Sequence, residues 1–525
     1  MESTKLLSLT TRRHPVYEAM LEHWDFLRAT YDGGREWFKL NIFRYHKEGD
    51  TEFNERVKRA YRFNHSREVV DLVNKYVFKG EIRRNEADAP RCVVDFWGSA
   101  TRKRIGIDAY MRYLSLLSSI YGRIWVVVDS VVQATGESVA ETQSSIYSYE
   151  VTPQDVLDMS FDEDGDLQWI LIRESARDDT DPFSSTGNVR YRYRLWTRTQ
   201  WILIDVVKTG TIVDGQEKLE AKVAGSGNHD LGVVPVIWVD HMVNHGLYTS
   251  PSLIGDIAYL DRACANYLSN LDAIIQDQTF SQLAIPAQNL LPGEEGHSKI
   301  IEFGTKRIFT FDGADGGQPF YLSPDPKQAE LIITSIKQII NEIYHSVGVA
   351  GERTKQDNSA GIDNSSGVAK AYDFERVNSL LVNKAASLEL AELQIINLVC
   401  KWSGDKTEIV MKGEKKLVSY PTNFDTRTLY DELDISARIE MLTAPIELKR
   451  YQLKHVLNKL YPYMPEKDRK EIESAIDKMD DSMDALIGGF KQAGQSSFAP
   501  TDQGNKEGSN KDVKPTDPAE KQAKD

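Results

Sequence analysis

A long heptad stripe is the feature of this 525-residue chain that most constrains its fold. Apolar residues recur at alternating steps of four and three, at Leu253, Ile257, Leu260, Cys264, Tyr267, Leu271 and Ile274. This spacing predicts a helix that packs one face against neighbouring helices. Ser250 and Pro251 supply a cap residue and a proline at the first helical position, so we expect the helix to begin there. At about 1.5 Å per residue it would reach roughly 45 Å, a length that needs a bundle or a ring of partners.

Charged residues on this helix avoid the stripe. Its acids Asp256, Asp261, Asp272 and Asp277 all fall on other faces, against one basic residue, Arg262. The pattern therefore predicts one packing face and a remainder with mostly negative charge.

A second helix pattern follows after an irregular insert. It opens at Asp325 and Pro326 and carries its own stripe of Ile332, Ile336, Ile339, Ile343 and Val347. The insert between the two helices contains proline and glycine turns and two short runs of strand character, 299–303 and 307–311. We expect a small lobe of strands and turns at the far end of a helical pair.

A polar segment and a third, longer helix complete the pattern. Residues 348–366 hold glycine, Asp, Asn, Ser, Lys and Gln and offer nothing for a core, which predicts a mobile loop. Helical periodicity resumes at about Ser366 and continues to Trp402, with Gly404 as the expected stop.

The order helix, lobe, helix, polar loop and long helix resembles the portal proteins of tailed bacteriophages. Further segments resemble that family in the same order, namely 62–70 with 77–80, 121–129, and 366–378. The resemblance extends from about residue 14 to residue 490. It implies an α+β portal fold with an α/β wing, a two-helix stem, a small α/β clip, a long tunnel helix and a helical C-terminal crown. It also implies assembly into a ring.

On this resemblance the chain divides as follows. The wing takes residues 1–249, the stem 250–283 and 326–347, the clip 284–325, and the tunnel loop 348–366. The tunnel helix is 367–403, a hairpin at 404–427 returns to the wing sheet, and the crown is 428–490. Residues 491–525 are polar, and we expect a disordered tail there.

The resemblance implies a structural role without covalent chemistry or a cofactor. The ring, usually of twelve subunits, would sit at one capsid vertex of the virion after assembly in the host cytoplasm. It would pass double-stranded DNA without sequence specificity during packaging and ejection. Expected partners are the terminase large subunit, head-completion or adaptor proteins, and the major capsid and scaffolding proteins, with no membrane.

Three groups of charged residues are candidates for these contacts. The tunnel loop would present Glu352, Arg353, Lys355, Asp357 and Asp363 to DNA. The stem would line the channel with Asp272 and Asp277, and the heptad stripe would provide stem packing. The clip would meet its partners through Glu294, Glu295, His297, Lys306 and Arg307.

Charge supports a conduit rather than a DNA-binding protein. The formal net charge is −15, which excludes a generally basic nucleic-acid binder. A channel that held phosphates tightly would impede the passage of a genome, whereas acidic positions would repel DNA toward the axis at close range. The densest basic cluster, Arg56 to Arg62, has two interpretations: a contact with DNA or with acids of a neighbouring subunit, or a solvated helix face.

Other functional classes find little support in the sequence. It has no GxxxxGK[ST], HExxH or GxSxG motif, and no apolar run long enough for a membrane span. Cys92, Cys264 and Cys400 are far apart in sequence and are expected to be reduced, buried thiols. Two alternatives remain: another head–tail connector or adaptor, usually a shorter chain, or a metal-dependent enzyme that uses His229, His241 and His245. Asp230 and Asp240 lie beside those histidines, but the run between them reads as a strand.

Overall fold

The computed structural model describes residues 3–46, 48–80, 82–134, 142–177, 179, 181–213, 216–279, 282–286, 308–311, 318–322, 326–348, 367–405, 407, 409–410, 416–422, 424, 445–460 and 466–478. The chain divides into two compact units, 1–425 and 426–525. The described part is a mixture of helices and sheets, as the predicted α+β class requires.

The N-terminal third of the larger unit is helical. Its helices are α1 (Ser3–Thr10), α2 (Pro15–Asp32), α3 (Arg35–Asn41), α4 (Asp50–Arg59), α5 (His65–Val77), α6 (Arg91–Gly98) and α7 (Ile107–Tyr121). Helix α2 begins with Pro15, whose fixed φ suits the first helical position, and Gly33 ends it in the left-handed region at φ 70°. Asn64 caps α5 because its side chain accepts a hydrogen bond of 3.0 Å from Arg67 N.

Two antiparallel sheets occupy the region between residues 123 and 240. The first contains β2 (Arg123–Ala134), β3 (Thr142–Val151) and β9 (Val236–Asp240), in the order β3-β2-β9. The second is a five-stranded meander of β4 (Val156–Phe161), β5 (Leu167–Arg177), β6 (Val189–Thr197), β7 (Gln200–Val213) and β8 (Gln216–Asn228). Residues 124–128 of β2 are buried on both faces, so this strand lies at the centre of the core beneath α7.

The predicted helical pair is present, with one corrected boundary. The pair consists of α8 (Ile257–Thr279) and α9 (Pro326–Val347). Helix α8 begins later than Ser250, because the Ser252 hydroxyl donates to the Ser119 and Ile120 carbonyls and holds this segment against the end of α7. With 23 residues, α8 is about 35 Å long rather than 45 Å.

A small three-stranded sheet accompanies the helical pair. Its strands are β10 (Gln282–Pro286), β11 (Ile308–Phe311) and β12 (Phe320–Leu322), and β10 lies between a parallel β11 and an antiparallel β12. The second predicted run, 307–311, corresponds to β11, whereas the first, 299–303, lies outside the described residues. The sequence did not predict β10 or β12.

The long helix α10 (Gly367–Ser403) has the bounds that the sequence predicts, with Gly404 after it at φ 73°. The expected hairpin at 404–427 is wrong in its described part. Only β13 (Val418–Ser419) is a strand there, and it pairs with β1 (Arg83–Arg84) instead of the larger sheets. Glu389 on α10 explains this position, because it accepts from Tyr420 N at 3.0 Å and pairs with Lys416.

The smaller unit contains two described helices, α11 (Ile446–Leu460) and α12 (Glu466–Asp477). They contact each other, and Lys454 and Asp477 form an ion pair of 2.6 Å between them. The rest of the predicted crown and the predicted tail lie outside the described residues.

Within the described parts of both units, no helix combines the length and the apolar character that a bilayer span requires.

Candidate functional site: the helical pair and its arginine contacts

The apolar contact between α8 and α9 occupies the middle of both helices. Cys264 and Leu268 pack with Ile336, and Ile332, Ile339 and Ile340 of α9 lie against this cluster. At the other end of the contact, Ile257 and Ile343 enter the main core. The two helices therefore form a continuous packed pair that extends from the main core.

The predicted stem stripe is only partly the buried face. Ile257 and Cys264 are buried, whereas Leu253, Leu260, Leu271 and Ile274 are half-buried. Tyr267 is 38% exposed within the single chain, and Leu268 beside it is buried. A straight helix drifts from a strict seven-residue repeat, so its buried face moves away from the stripe along its length.

Asp261, predicted to lie on a solvent face, is almost completely buried. Its Oδ2 lies 3.2 Å from Arg62 Nη1 and accepts from Ser66 N at 3.2 Å and from Ser66 Oγ at 2.9 Å. The side chains of Arg62 and Asp261 are 4% and 1% exposed. This ion pair joins α8 to the segment between α4 and α5.

Two further arginines extend the attachment along α8. Arg56 makes a bidentate contact with Glu48 at 2.6 and 2.8 Å, and its Nη1 donates to Ser269 Oγ at 3.0 Å. This hydrogen bonding holds the pKa of Glu48 below its usual range. Arg59 lies 3.4 Å from Asp272, an acid that the sequence analysis assigns to the channel lining. We call Arg56, Arg59 and Arg62 the arginine contacts.

Aromatic rings complete these sites. The Arg62 guanidinium lies 3.8 Å from the centre of the Trp37 ring, and that of Arg56 lies 4.0 Å from the Tyr45 ring. Burial lowers the pKa of Arg62, although Asp261 opposes the shift. The interpretation of this cluster as a solvated face is therefore wrong for Arg56 and Arg62, whose cations are used inside the chain.

The base of α9 is attached to α5 by a separate polar contact. The Tyr344 hydroxyl lies 3.0 Å from His65 Nδ1 and donates to Glu68 Oε2 at 2.7 Å. Because α8 meets Ser66 and α9 meets His65 and Glu68, the first turn of α5 positions both helices.

Large apolar side chains remain uncovered on the outer faces of the pair. Leu331 and Ile333 of α9 are 69% and 42% exposed. On α8 the exposed fractions are 41% for Tyr259 and 49% for Ile275. Leu331 and Ile333 are two residues apart and so point to different sides of α9, which leaves apolar surface exposed on more than one side of the pair.

The histidines of the alternative metal site have structural contacts. His229 packs between Trp196 and Trp402 with ring centres 5.8 and 5.9 Å away, and burial lowers its pKa. His241 is buried with its Nδ1 3.3 Å from Ser119 Oγ. Asp240 instead pairs with Arg123 at 2.6 Å. Among the described residues, no cluster of His, Cys, Asp and Glu has the arrangement of a metal site.

The long helix carries a buried lysine, Lys384, that was not predicted from the sequence. Lys384 Nζ donates to Ser115 O at 2.9 Å and to Ser118 Oγ at 2.6 Å, and so ties α10 to α7. Burial holds the pKa of Lys384 well below its usual range. The available signal in the sequence was the position of this lysine, which falls within the apolar periodicity of α10.

The other predicted site residues lie outside the described residues. These are all the clip candidates, Glu294, Glu295, His297, Lys306 and Arg307, and all the tunnel-loop candidates, Glu352, Arg353, Lys355, Asp357 and Asp363. Asp277 lies in the last turn of α8, but its side chain is not described.

Comparisons with known proteins give weak likenesses only. No protein-family model matches the chain, and no curated protein matches it. Among solved structures, a chain from the neck of an empty gene transfer agent particle is similar over 74% of this chain and 89% of its own length, at 12% identity and a TM-score of 0.40. A chain from the virion of a native gene transfer agent particle covers 70% of this chain and 85% of its own length, at 12% identity and a TM-score of 0.35. At these values neither likeness assigns the chain to a family.

Proposed function

We propose that the chain is the portal protein of a tailed phage or phage-like particle, one subunit of a ring that forms a DNA channel. The observation that carries this proposal is the pair α8 and α9, anchored at its base by buried polar contacts and apolar on its outer faces. The pair is the stem, and the sheet of β10 to β12 belongs to the clip. The tunnel loop, tunnel helix and crown keep the boundaries given above.

Side-by-side neighbours would cover what a single pair leaves exposed. Leu331 and Ile333 lie on α9, and Tyr259 and Ile275 lie on α8, so the two helices offer different apolar surfaces. Contact between unlike surfaces is heterologous and closes into a ring when the rotation between copies allows it. The extra burial in a ring would stabilise a helical pair that leaves these side chains in water.

The charge of the stem fits weak contact with DNA, with one revision. Asp272 faces Arg59, so this acid is partly compensated within the subunit. Repulsion of phosphates then falls to Asp256, which is exposed, and to Asp277 near the end of α8. The arginine contacts offer DNA little, because Arg56 and Arg62 are buried.

Partner contacts follow from this assignment. The clip would dock the terminase large subunit during packaging and an adaptor protein afterwards, and the wing would meet capsid and scaffolding proteins. The protein would act in the virion after assembly in the host cytoplasm, without a cofactor or a catalytic step.

Negative-stain electron microscopy and mass photometry of the purified full chain test the proposal. We expect closed rings of roughly twelve subunits with a central channel. The variant L331E/I333E should lose rings, because it places one charge on each of two exposed apolar surfaces of α9. Leu448→Glu is the matched control, since Leu448 is a helical leucine that is 47% exposed in the smaller unit. Compact symmetric dimers of the wild type, or rings that persist in L331E/I333E, would contradict the proposed stem.

A further inference from the structure

An aromatic pocket lies between the start of α7 and strands β3, β5 and β6. It has a volume of about 570 Å³, and its lining includes Tyr110, Tyr113, Tyr147 and Tyr149. The Tyr147 and Tyr149 rings are stacked with centres 6.3 Å apart. The Tyr149 hydroxyl is buried and finds no hydrogen-bond partner among the described residues.

A basic turn forms one rim of this pocket. Arg102, Lys103 and Arg104 are consecutive and exposed, and the first two line the pocket. Arg104 has φ 59°, a conformation that costs a non-glycine residue free energy and that clusters at functional sites. The Arg104 N–H donates to Thr101 O at 2.8 Å, which fixes the turn. Arg102 lies 4.3 Å from the Tyr147 ring centre, whereas Lys103 and Arg104 have no ion pair within the described residues.

An exposed phenylalanine lies on the connection between β5 and β6. Phe183 is 98% exposed, yet it sits in an ordered turn. Asp181 organises this turn, because its carboxylate accepts from Phe183 N at 3.0 Å and from Ser184 Oγ at 2.6 Å. Asp178, Asp179 and Asp181 precede the ring in the sequence. The chain thus presents an apolar ring with an acidic flank in a turn that is already ordered, which lowers the entropy cost of binding.

We propose that the Phe183 turn of one copy of this chain docks in the tyrosine pocket of the next copy, with its aspartates against the basic turn 102–104. The proposal rests on the proposed function in that it names one contact of the ring. Phe183 does not fill the pocket of its own chain, since almost all of its surface is exposed. In a ring, the turn of each copy would occupy the pocket of the next copy, so that the contact is heterologous and propagates in one direction.

Charge complementarity selects the basic rim as the receptor for this turn. Inside the pocket, Glu174 pairs with Arg194 at 2.6 Å, which leaves Glu150 as the remaining acid of the lining. The rim carries three cations, and the incoming segment carries three carboxylates. The ring would therefore enter the aromatic interior while the aspartates stay at the rim, where salt weakens their attraction.

Disulfide crosslinking tests the contact directly. Ile105 lines the pocket and is 40% exposed, and Pro182 is exposed beside Phe183, so P182C and I105C would bring two thiols together while the Phe183 ring is kept. The two single variants, carrying different tags, are mixed as full-length chains and oxidised mildly. A crosslinked heterodimer is expected from this mixture and not from either variant alone. Leu40→Cys is the control partner for P182C, because Leu40 is 78% exposed and does not line the pocket.

The outcomes separate this contact from the ring itself. Rings without the P182C–I105C crosslink would overturn the contact and leave the portal proposal intact. A crosslink without rings would support the contact and contradict the portal proposal. A disulfide that forms only within a double P182C/I105C chain would overturn docking between copies in favour of closure within one chain.

Assembly measurements provide a second, independent test. Phe183→Ser should raise the protein concentration needed for half-maximal assembly about tenfold or more, because the burial of a phenylalanine ring is lost. The charge reversal R102D/K103D should weaken assembly in low salt. D178K/D179K, which leaves Asp181 to hold the turn, should restore assembly when combined with that reversal. Unchanged assembly of Phe183→Ser, or no rescue by the combined reversal, would overturn the proposal.

Discussion

The ion pair between Arg62 and Asp261 should contribute far more to stability than an ordinary surface pair. Its side chains are 4% and 1% exposed, so loss of either partner leaves the other charged and buried. Removal of one partner from a buried pair costs about 3–5 kcal/mol. We expect Asp261→Asn to lie within this range, because the guanidinium keeps only the Thr30 carbonyl and the Trp37 ring. Arg62→Met should cost somewhat less, since Ser66 still donates two hydrogen bonds to Asp261.

A double-mutant cycle separates the pair from the rest of the site. In R62M/D261N neither partner is left as a buried charge, so the two losses should not add, and a coupling of about 2–3 kcal/mol is expected. Urea denaturation followed by circular dichroism gives the free energies of unfolding. The same protein concentration must be used throughout, because ring assembly would add to the apparent stability.

An exposed pair of the same chemistry provides the control. Arg28 and Asp32 are 2.7 Å apart on α2 but are 37% and 48% exposed. Asp32→Asn should therefore cost less than about 0.5 kcal/mol. If Asp261→Asn and Arg62→Met also cost less than about 1 kcal/mol, the pair is solvated and the anchoring of α8 by the arginine contacts is refuted.

Three further predictions concern other parts of the molecule. Burial holds the pKa of Lys384 well below its value in the unfolded chain, so the unfolded state binds the proton more tightly and the free energy of unfolding should rise with pH toward about 10. Lys384→Met should remove that rise in urea titrations at several pH values. If the variant and the wild type show the same dependence of stability on pH, the lowered pKa of Lys384 is contradicted. Gly122→Ala should lower the free energy of unfolding by more than about 2 kcal/mol, because φ is 86° and the new Cβ would clash with a backbone oxygen. Gly404→Ala should lower it by about 1 kcal/mol, because φ is 73° but the space around the new Cβ is open. Equal losses of stability in thermal denaturation would refute this distinction. Cys92 and Cys400 are neighbours in the fold, and burial is the main cause that raises the pKa of Cys400 to about 12. A two-electron oxidant such as diamide should slowly join them in a disulfide with the loss of two hydrogens, and mass spectrometry that finds only unlinked thiols would exclude this disulfide.

Local signals explain which helices could be predicted. Pro15 and Gly33 bound α2, Pro326 begins α9, and Gly404 follows α10, as proline and glycine fix the backbone through their own geometry. The predicted start of α8 was wrong, since the true start depends on hydrogen bonds to the end of α7, which is distant in sequence.

Long-range pairing explains most of what the sequence did not predict. Asp261 was assigned to solvent because the heptad pattern describes one helix and carries no information about a partner 199 residues away. The same limit applies to Arg56 with Ser269 and to Lys384 with Ser118. Cys92 and Cys400, which are far apart in the sequence, are neighbours in the fold, and Cys92 is half-buried rather than buried as predicted.

The arginine contacts also have a mechanical consequence. Arg62, Arg56 and Arg59 meet α8 at Asp261, Ser269 and Asp272, which spread over about three turns of the helix. A force along the helix axis loads all three links together, as in shear. A sideways force at the far end loads the Asp272 link first and the Asp261 link last, as in peeling. The helical pair would therefore resist a force along its axis better than a force across it. Under a sideways force the Asp272 link, which is the most exposed of the three, would break first.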